Sequence, residues 1–156
     1  MPIIYTGTAE TNAESNNIKR KFDKKCFKEA FMGCTQLNGN TKTFKINGTA
    51  YTSDTIYANT FEEGCFYDMF NGCSSFDGDS MINIIGVNNS DQKSILGVNG
   101  CYHMYINSGI KKMPCIKANT IKSYALAGAF INCSKLDTLP DNCGITATTT
   151  EEYAMY

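Results

Sequence analysis

Apolar positions along this chain fall into short, recurring stripes. Phe27, Ala30, Phe31 and Cys34 lie at i, i+3, i+4 and i+7, and Phe66, Met69, Phe70 and Cys73 repeat the stripe 39 residues later. That spacing predicts a two-turn amphipathic helix, with Lys28 and Glu29, or Tyr67 and Asp68, on the outward side. Gly33 and Gly72 end the stripes, where a glycine can turn the chain out of a helix. A helix of about nine residues is not stable alone in water, so each stripe must be buried against a neighbouring copy. A third copy carries Phe130 and Cys133, and residues 102–105 are a degraded fourth.

After each stripe the period changes. Residues 109–114 (GIKKMP) and 134–140 (SKLDTLP) place apolar residues around short polar runs and close on proline, which predicts a short strand that cannot continue. Helix, turn, short strand and proline make one coil of a leucine-rich-repeat-type solenoid, so the predicted fold class is α/β, with a short helix and a short strand per coil. Aligning Phe31, Phe70, Tyr105, Phe130 and Tyr156 gives spacings of 39, 35, 25 and 26. The last two approach a usual coil length, and the first two belong to coils with insertions. Residues 43–51 alternate around Asn47-Gly48, and residues 81–87 and 93–98 flank Asn88-Asn89-Ser90-Asp91. Each predicts a β-hairpin, one in each of the first two coils.

The phrase [AM]-F-x-G-C-[ST]-x-[LF], read at Ala30-Phe31-Met32-Gly33-Cys34 and Met69-Phe70-Asn71-Gly72-Cys73 and followed later by Leu136-Asp137-Thr138-Leu139-Pro140, resembles the BspA-like leucine-rich repeat. That family occurs on bacterial cell surfaces, in protozoan surface proteins and in phage tail or virion proteins. The resemblance covers most of residues 22–156. It implies a non-catalytic protein-interaction or adhesion module, with no catalytic residue, cofactor or metal to carry over. The setting we expect is a virion or tail appendage mediating assembly or host-surface recognition; a bacterial or protozoan cell-surface adhesin is the alternative. The expected repeat core is Phe27, Phe31, Cys34, Phe66, Phe70, Cys73, Phe130 and Cys133. A ligand surface is expected on the insertions, at Tyr51, Tyr57, Asn88, Asn89 and Asp91, because insertions on one face of a repeat array often carry binding.

Composition narrows the partners. The 156 residues are 42% hydrophobic, enough for one continuous core, and a net charge of −1 gives no electrostatic case for nucleic acid. The basic cluster of Lys19, Arg20, Lys21, Lys24 and Lys25 reads as a solvated cap. No stretch approaches a membrane span, and residues 1–17 carry no apolar core of a secretory signal. Residues 1–21 read as an N-terminal docking arm and 22–156 as the repeat domain. Glu151 to Tyr156 begin a further copy, so the repeats are expected to continue beyond 156. The expected partners are other structural proteins or copies of the same chain, through the arm and the open C-terminal coil, with a host-surface receptor or glycan as a further ligand.

Candidate chemistry is sparse. The eight cysteines include C-x7-C pairs at Cys26/Cys34 and Cys65/Cys73, not the short spacing of a zinc knuckle. Along a helix, members of a pair stand about 12 Å apart, and helices of successive coils about 8–10 Å apart; both exceed disulfide reach. Buried free thiols are therefore expected, with a disulfide using Cys115 or Cys143 as the remaining option. His103 is the only histidine, and a nucleophilic pair with Cys101 is disfavoured because both sit beside core positions. Asp77-Gly78-Asp79 opens like a calcium loop, but Met81 and Ile85 fall where oxygen ligands are needed. No enzyme is expected.

Overall fold

A computed structural model describes residues 21–37, 44–46, 49–51, 55–76, 83–88, 92–139 and 144–156. None of these residues is helical. The stripes read as helices are instead ribbons of consecutive tight turns, and the reason lies in the backbone. A left-handed residue recurs at every fourth position: Lys25, Glu29 and Gly33, then Gly64, Asp68 and Gly72, then Asn99, His103 and Asn107, then Tyr124, Gly128 and Asn132. Asn, Asp, His and Gly, the residues that tolerate this region best, fill most of these sites.

This conformation splits the backbone donors into two sets. Lys28, Ala30 and Met32 donate three residues back, to Lys25, Phe27 and Glu29 carbonyls at 3.1–3.2 Å. The residues between them donate out of the ribbon, to the next copy. Phe27 N reaches Cys65 O at 2.9 Å, Glu29 N reaches Tyr67 O at 2.8 Å, and Phe31 N reaches Met69 O at 3.0 Å. The same alternation joins the second ribbon to the third (Phe66 N to Gly100 O), the third to the fourth (Cys101 N to Ala125 O) and the fourth to the last (Leu126 N to Ala154 O). A four-residue turn repeat buries positions i and i+4, as a helix does, so the hydrophobic pattern alone does not separate the two.

The strands are β1 (Lys21–Phe22), β2 (Phe44–Ile46), β3 (Thr49–Tyr51), β4 (Thr55–Ala58), β5 (Thr60–Phe61), β6 (Asn83–Gly86), β7 (Ile95–Leu96), β8 (Ile116–Ile121) and β9 (Ile145–Thr150). Seven of them form one sheet of order β1-β5-β7-β8-β6-β4, with β9 also on β8. Every pairing in it is parallel. The chain thus lays equivalent segments side by side, coil after coil, with a strand leading into each turn ribbon. The two longest strands, β8 and β9, span a face that β4 and β5, or β6 and β7, cover as separate pieces. β2 and β3 pair antiparallel as a separate two-stranded sheet, Ile46 opposite Thr49.

The core fills the space between sheet and ribbons. Phe61, Phe66, Met69, Leu96, Met104, Tyr105, Ile110, Ile116 and Ile121 have no or almost no exposed surface. Because every copy sits one rung from the next, identical positions stack. Phe31, Phe70, Tyr105 and Phe130 form a column of near-parallel rings, with centroids 5.4, 5.4 and 5.9 Å apart. Phe27 on Phe66 at 5.8 Å and Phe22 on Phe61 at 5.6 Å form two shorter columns.

The structure corrects the expected fold class. Coils of helix plus strand, the leucine-rich-repeat-type solenoid, are overturned by the absence of helix among the described residues and by the parallel sheet. Gly33 and Gly72 are left-handed turn positions, at φ 72° and 74°, rather than helix exits. The second predicted hairpin does not form: β6 pairs with β4 and β8, β7 with β5 and β8, and neither with the other. Residues 109–114 and 136–139 form no strand and are joined by one bridge, Lys112 to Thr138, and Ser134-Lys135 are still in a turn; the strands proper begin after the prolines. The last repeat is also displaced. Gly128 N bonds Tyr156 O and Tyr124 stacks on Tyr153 at 5.3 Å, a spacing of 29, so Tyr156 is not the counterpart of Phe130.

A sign test separates turn ribbon from helix. Lys25, at φ 57°, is strained as a lysine. We expect Lys25→Gly to raise stability by about 1 kcal/mol in urea unfolding, whereas in a helix it would lower it by a similar amount. Gly72→Ala, at φ 74° with Gly33 Cα 3.6 Å from the added methyl, is expected to cost about 1–2 kcal/mol.

Candidate functional site

Of the residues expected to bind, the structure describes the surroundings of Tyr57 and Asn88. Tyr57 is 44% exposed on β4, and Asn88 is exposed just beyond β6. Tyr51 ends β3, while Asn89 and Asp91 lie outside the described residues, as do residues 1–20 of the expected arm. The expected domain start at residue 22 falls inside β1. Of the expected core, Phe66, Phe70, Cys73 and Cys133 are buried, Phe27, Phe31 and Phe130 are half-buried at the edges of the stack, and Cys34 is exposed.

Asn88 belongs to a polar network that the sequence did not signal. Ser94 N donates to Asn88 Oδ1 at 2.7 Å, and Asn119 N donates to Ser94 Oγ at 2.8 Å. These residues, with Gly86, Lys117, Thr146 and Thr148, line an open depression of about 230 Å³. Asn59 Nδ2 donates to Val87 O at 2.5 Å nearby, tying β4 to the end of β6. A second open depression, of about 320 Å³, lies between the strand ends and ribbons and is lined by Lys24, Glu62, Glu63, Lys122 and Glu151. Its charges pair from coil to coil. Lys24 Nζ meets Glu63 Oε2 at 3.0 Å and Lys21 Nζ meets Glu62 Oε1 at 3.1 Å. Glu151 takes Lys122 Nζ, Ser123 N at 3.1 Å and Ser123 Oγ at 3.2 Å. The Lys122 hydrogen bond, reinforced by Ser123, holds the Glu151 carboxyl below its ordinary value.

The outward face of the ribbons carries further ladders. Lys28 sits 5.1 Å over the Tyr67 ring, Tyr67 stacks on Tyr102 at 4.9 Å, and Asn132 Nδ2 donates to Asn107 Oδ1 at 2.9 Å. His103 packs on the Tyr102 ring and points Nδ1 to Asp68 Oδ1 at 3.9 Å. Cys101, two residues away, turns into the core with no exposed surface; burial pushes its thiol well up, which keeps it protonated and away from His103 chemistry. Among the described residues no three His, Cys, Asp or Glu groups gather as metal ligands, and no helix is long and apolar enough to cross a membrane.

The cysteines are closer than helical packing predicts. Cys26, Cys34, Cys65, Cys73, Cys101 and Cys133 are free thiols, and Cys115 is disulfide-bonded; Cys143 lies outside the described residues. Rungs of a ribbon stand about 4.7–4.9 Å apart, half the spacing of packed helices. Cys73 Sγ donates to Phe31 O at 3.0 Å and Cys133 Sγ to Tyr105 O at 3.0 Å, so each thiol closes a carbonyl of the preceding coil. Burial raises the Cys73 thiol to about 11. Comparison with known proteins adds no assignment: no family model, no curated protein and no solved structure matches the chain.

The Glu151 cluster makes the last coil acid-sensitive. Its folded carboxyl is depressed, so the stability it supplies is present above the ordinary value of 4.5 and is lost as pH falls through the lower folded value. We expect Glu151→Gln to speed amide exchange in β9 at neutral pH. The variant and the parent should converge once both carry a neutral side chain in acid.

Proposed function

We propose that the chain is a non-catalytic interaction module that joins other structural proteins, or further copies of itself, through the edges of its described coils. The observation that carries this reading is the polarity of the backbone ladder. Outward N–H groups of each ribbon donate to carbonyls of the following one, never the reverse. In the first coil the Cys26, Lys28, Ala30 and Met32 carbonyls therefore face away from the stack and have no partner among the described residues. At the other end β9 pairs only with β8 among the described residues, and Thr146 to Thr150 are exposed. Such rows of unpaired backbone groups are templates for adding a strand or coil.

Charge supports the same reading. Lys24 of the first coil pairs with Glu63, and Glu152 of the last coil occupies the position equivalent to both. A first coil placed on a last coil would set Lys24 beside Glu152 and repeat the pairing already present inside the stack. The setting we assign is a virion or tail appendage engaged in assembly or host-surface recognition, with a cell-surface adhesin as the alternative. That setting is supported by the repeat phrase alone.

Light scattering after size exclusion tests the interaction surface. We expect concentration-dependent association of the chain, weakened roughly tenfold by Glu152→Lys and restored when Lys24→Glu is added to the same chain. A monomer at every concentration, or association indifferent to both changes, would reject these ends as a self-interface.

A further inference from the structure

The cysteines of the first two coils are set for chemistry that the interaction reading does not use. We propose that Cys26 and Cys65 are a dithiol pair that closes to a disulfide between coils when it meets a small-molecule disulfide. The register carries the argument. Phe27 N donates to Cys65 O at 2.9 Å, and Cys26 Sγ approaches the same oxygen at 3.9 Å, which puts Cys26 directly on Cys65, one rung apart. On either side, Phe22 stacks on Phe61 and Phe27 on Phe66 at 5.6 and 5.8 Å, so the two coils are in register through this stretch. A rung of about 4.7–4.9 Å lies within the separation of roughly 4.4–6.8 Å between Cα atoms that a disulfide requires.

The two thiols also differ in a useful way. Cys26 is exposed and Cys65 has no exposed surface. A hydrogen bond from the Cys65 side chain favours the Cys26 thiolate and lowers its proton affinity, while burial raises that of Cys65. Cys26 is therefore the attacking thiol and Cys65 the resolving one. In the first step the Cys26 thiolate attacks one sulfur of the small disulfide; that S–S bond breaks, and the leaving thiolate takes up a proton. In the second, Cys65 gives up its proton and attacks the Cys26 sulfur, expelling the second thiol. Two protein thiols are oxidised and one disulfide is reduced to two thiols.

The neighbouring pair provides an internal contrast. Cys34 is also exposed and stands over Cys73, yet the Cys73 thiol is turned to the Phe31 carbonyl at 3.0 Å. Cys101 has Phe66 and Leu126 as its counterparts, so no thiol shares its rung position, and Cys65 neighbours it only from the adjacent position. Closure at Cys26 and Cys65 would tie the exposed first coil to the buried second one.

The test is to incubate the full chain with oxidised glutathione, block free thiols and map peptides by mass spectrometry without reduction. The expected result is a Cys26–Cys65 cross-linked peptide with loss of two free thiols. It should be reversed by reductant, absent in Cys26→Ser and retained in Cys34→Ser. Proteolytic release of the first coil should slow by roughly tenfold or more, because the closed loop limits local opening. Glutathione left on Cys26 with Cys65 free, a Cys34–Cys73 link in its place, or no reaction would each overturn the proposal. None of these outcomes bears on the open-ended ladder, which the association experiment addresses separately.

Discussion

The structure depends on one backbone interaction, the hydrogen bond from alternate ribbon N–H groups to the carbonyls of the next coil. In a helix every interior N–H is satisfied within its own segment. Here a left-handed residue at every fourth position turns half of the donors out along the stack. Nine of those positions among the described residues, Tyr153 of the last coil included, hold residues other than glycine, with a strain of up to about 1–2 kcal/mol each. A single ribbon would bear that strain with half of its donors unpaired. Only a neighbour in register offsets both, so the coils stand or fall as a set.

The same constraint fixes the core. A hydrogen-bonded rung places equivalent side chains about 5 Å apart, which suits flat rings better than branched ones. Hence the Phe31, Phe70, Tyr105 and Phe130 column, and outside it the Tyr67–Tyr102 and Tyr124–Tyr153 stacks. Polar rows obey the same spacing: Asn107 with Asn132, Lys24 with Glu63, Lys122 with Glu151. Like residues can repeat where they stack or hydrogen-bond, and the lysines of the charged rows meet acids one rung away, although Asp23 lies opposite Glu62 and Glu29 opposite Asp68. The rung distance also places equivalent cysteines of the first two coils, Cys26 with Cys65 and Cys34 with Cys73, within the Cα separation that a disulfide spans.

The functional reading follows from the direction of the ladder. Among the described residues the parallel coils give the ribbons two unlike edges, one presenting acceptors and one presenting donors. The proposed self-association would join them head to tail, which makes chains rather than closed pairs. In that proposed join Lys24 would meet Glu152, while Asp23 would stand opposite Glu151, which Lys122 already pairs.

The sequence by itself determined which residues repeat and, in part, which are buried; Cys34, which the spacing also placed inside, is exposed. Phe66, Phe70 and Cys73 can be read as interior from their spacing, and the first three intervals between copies match the hydrogen-bond register. It could not decide that the stripe is a turn ribbon, because a four-residue repeat and a 3.6-residue helix bury nearly the same positions over two turns. The clue was present in Asp68, Asn99, His103, Asn107 and Asn132, residues tolerant of left-handed backbone at a spacing of four, but each is also ordinary on a helix surface. The Ser94–Asn88–Asn119 network and the Lys122–Glu151–Ser123 cluster join residues up to 29 apart, and no local signal marks them. Only the tertiary structure set the distance between coils. That distance depends on whether backbone hydrogen bonds or packed side chains separate the coils, and it alone brings Cys26 onto Cys65.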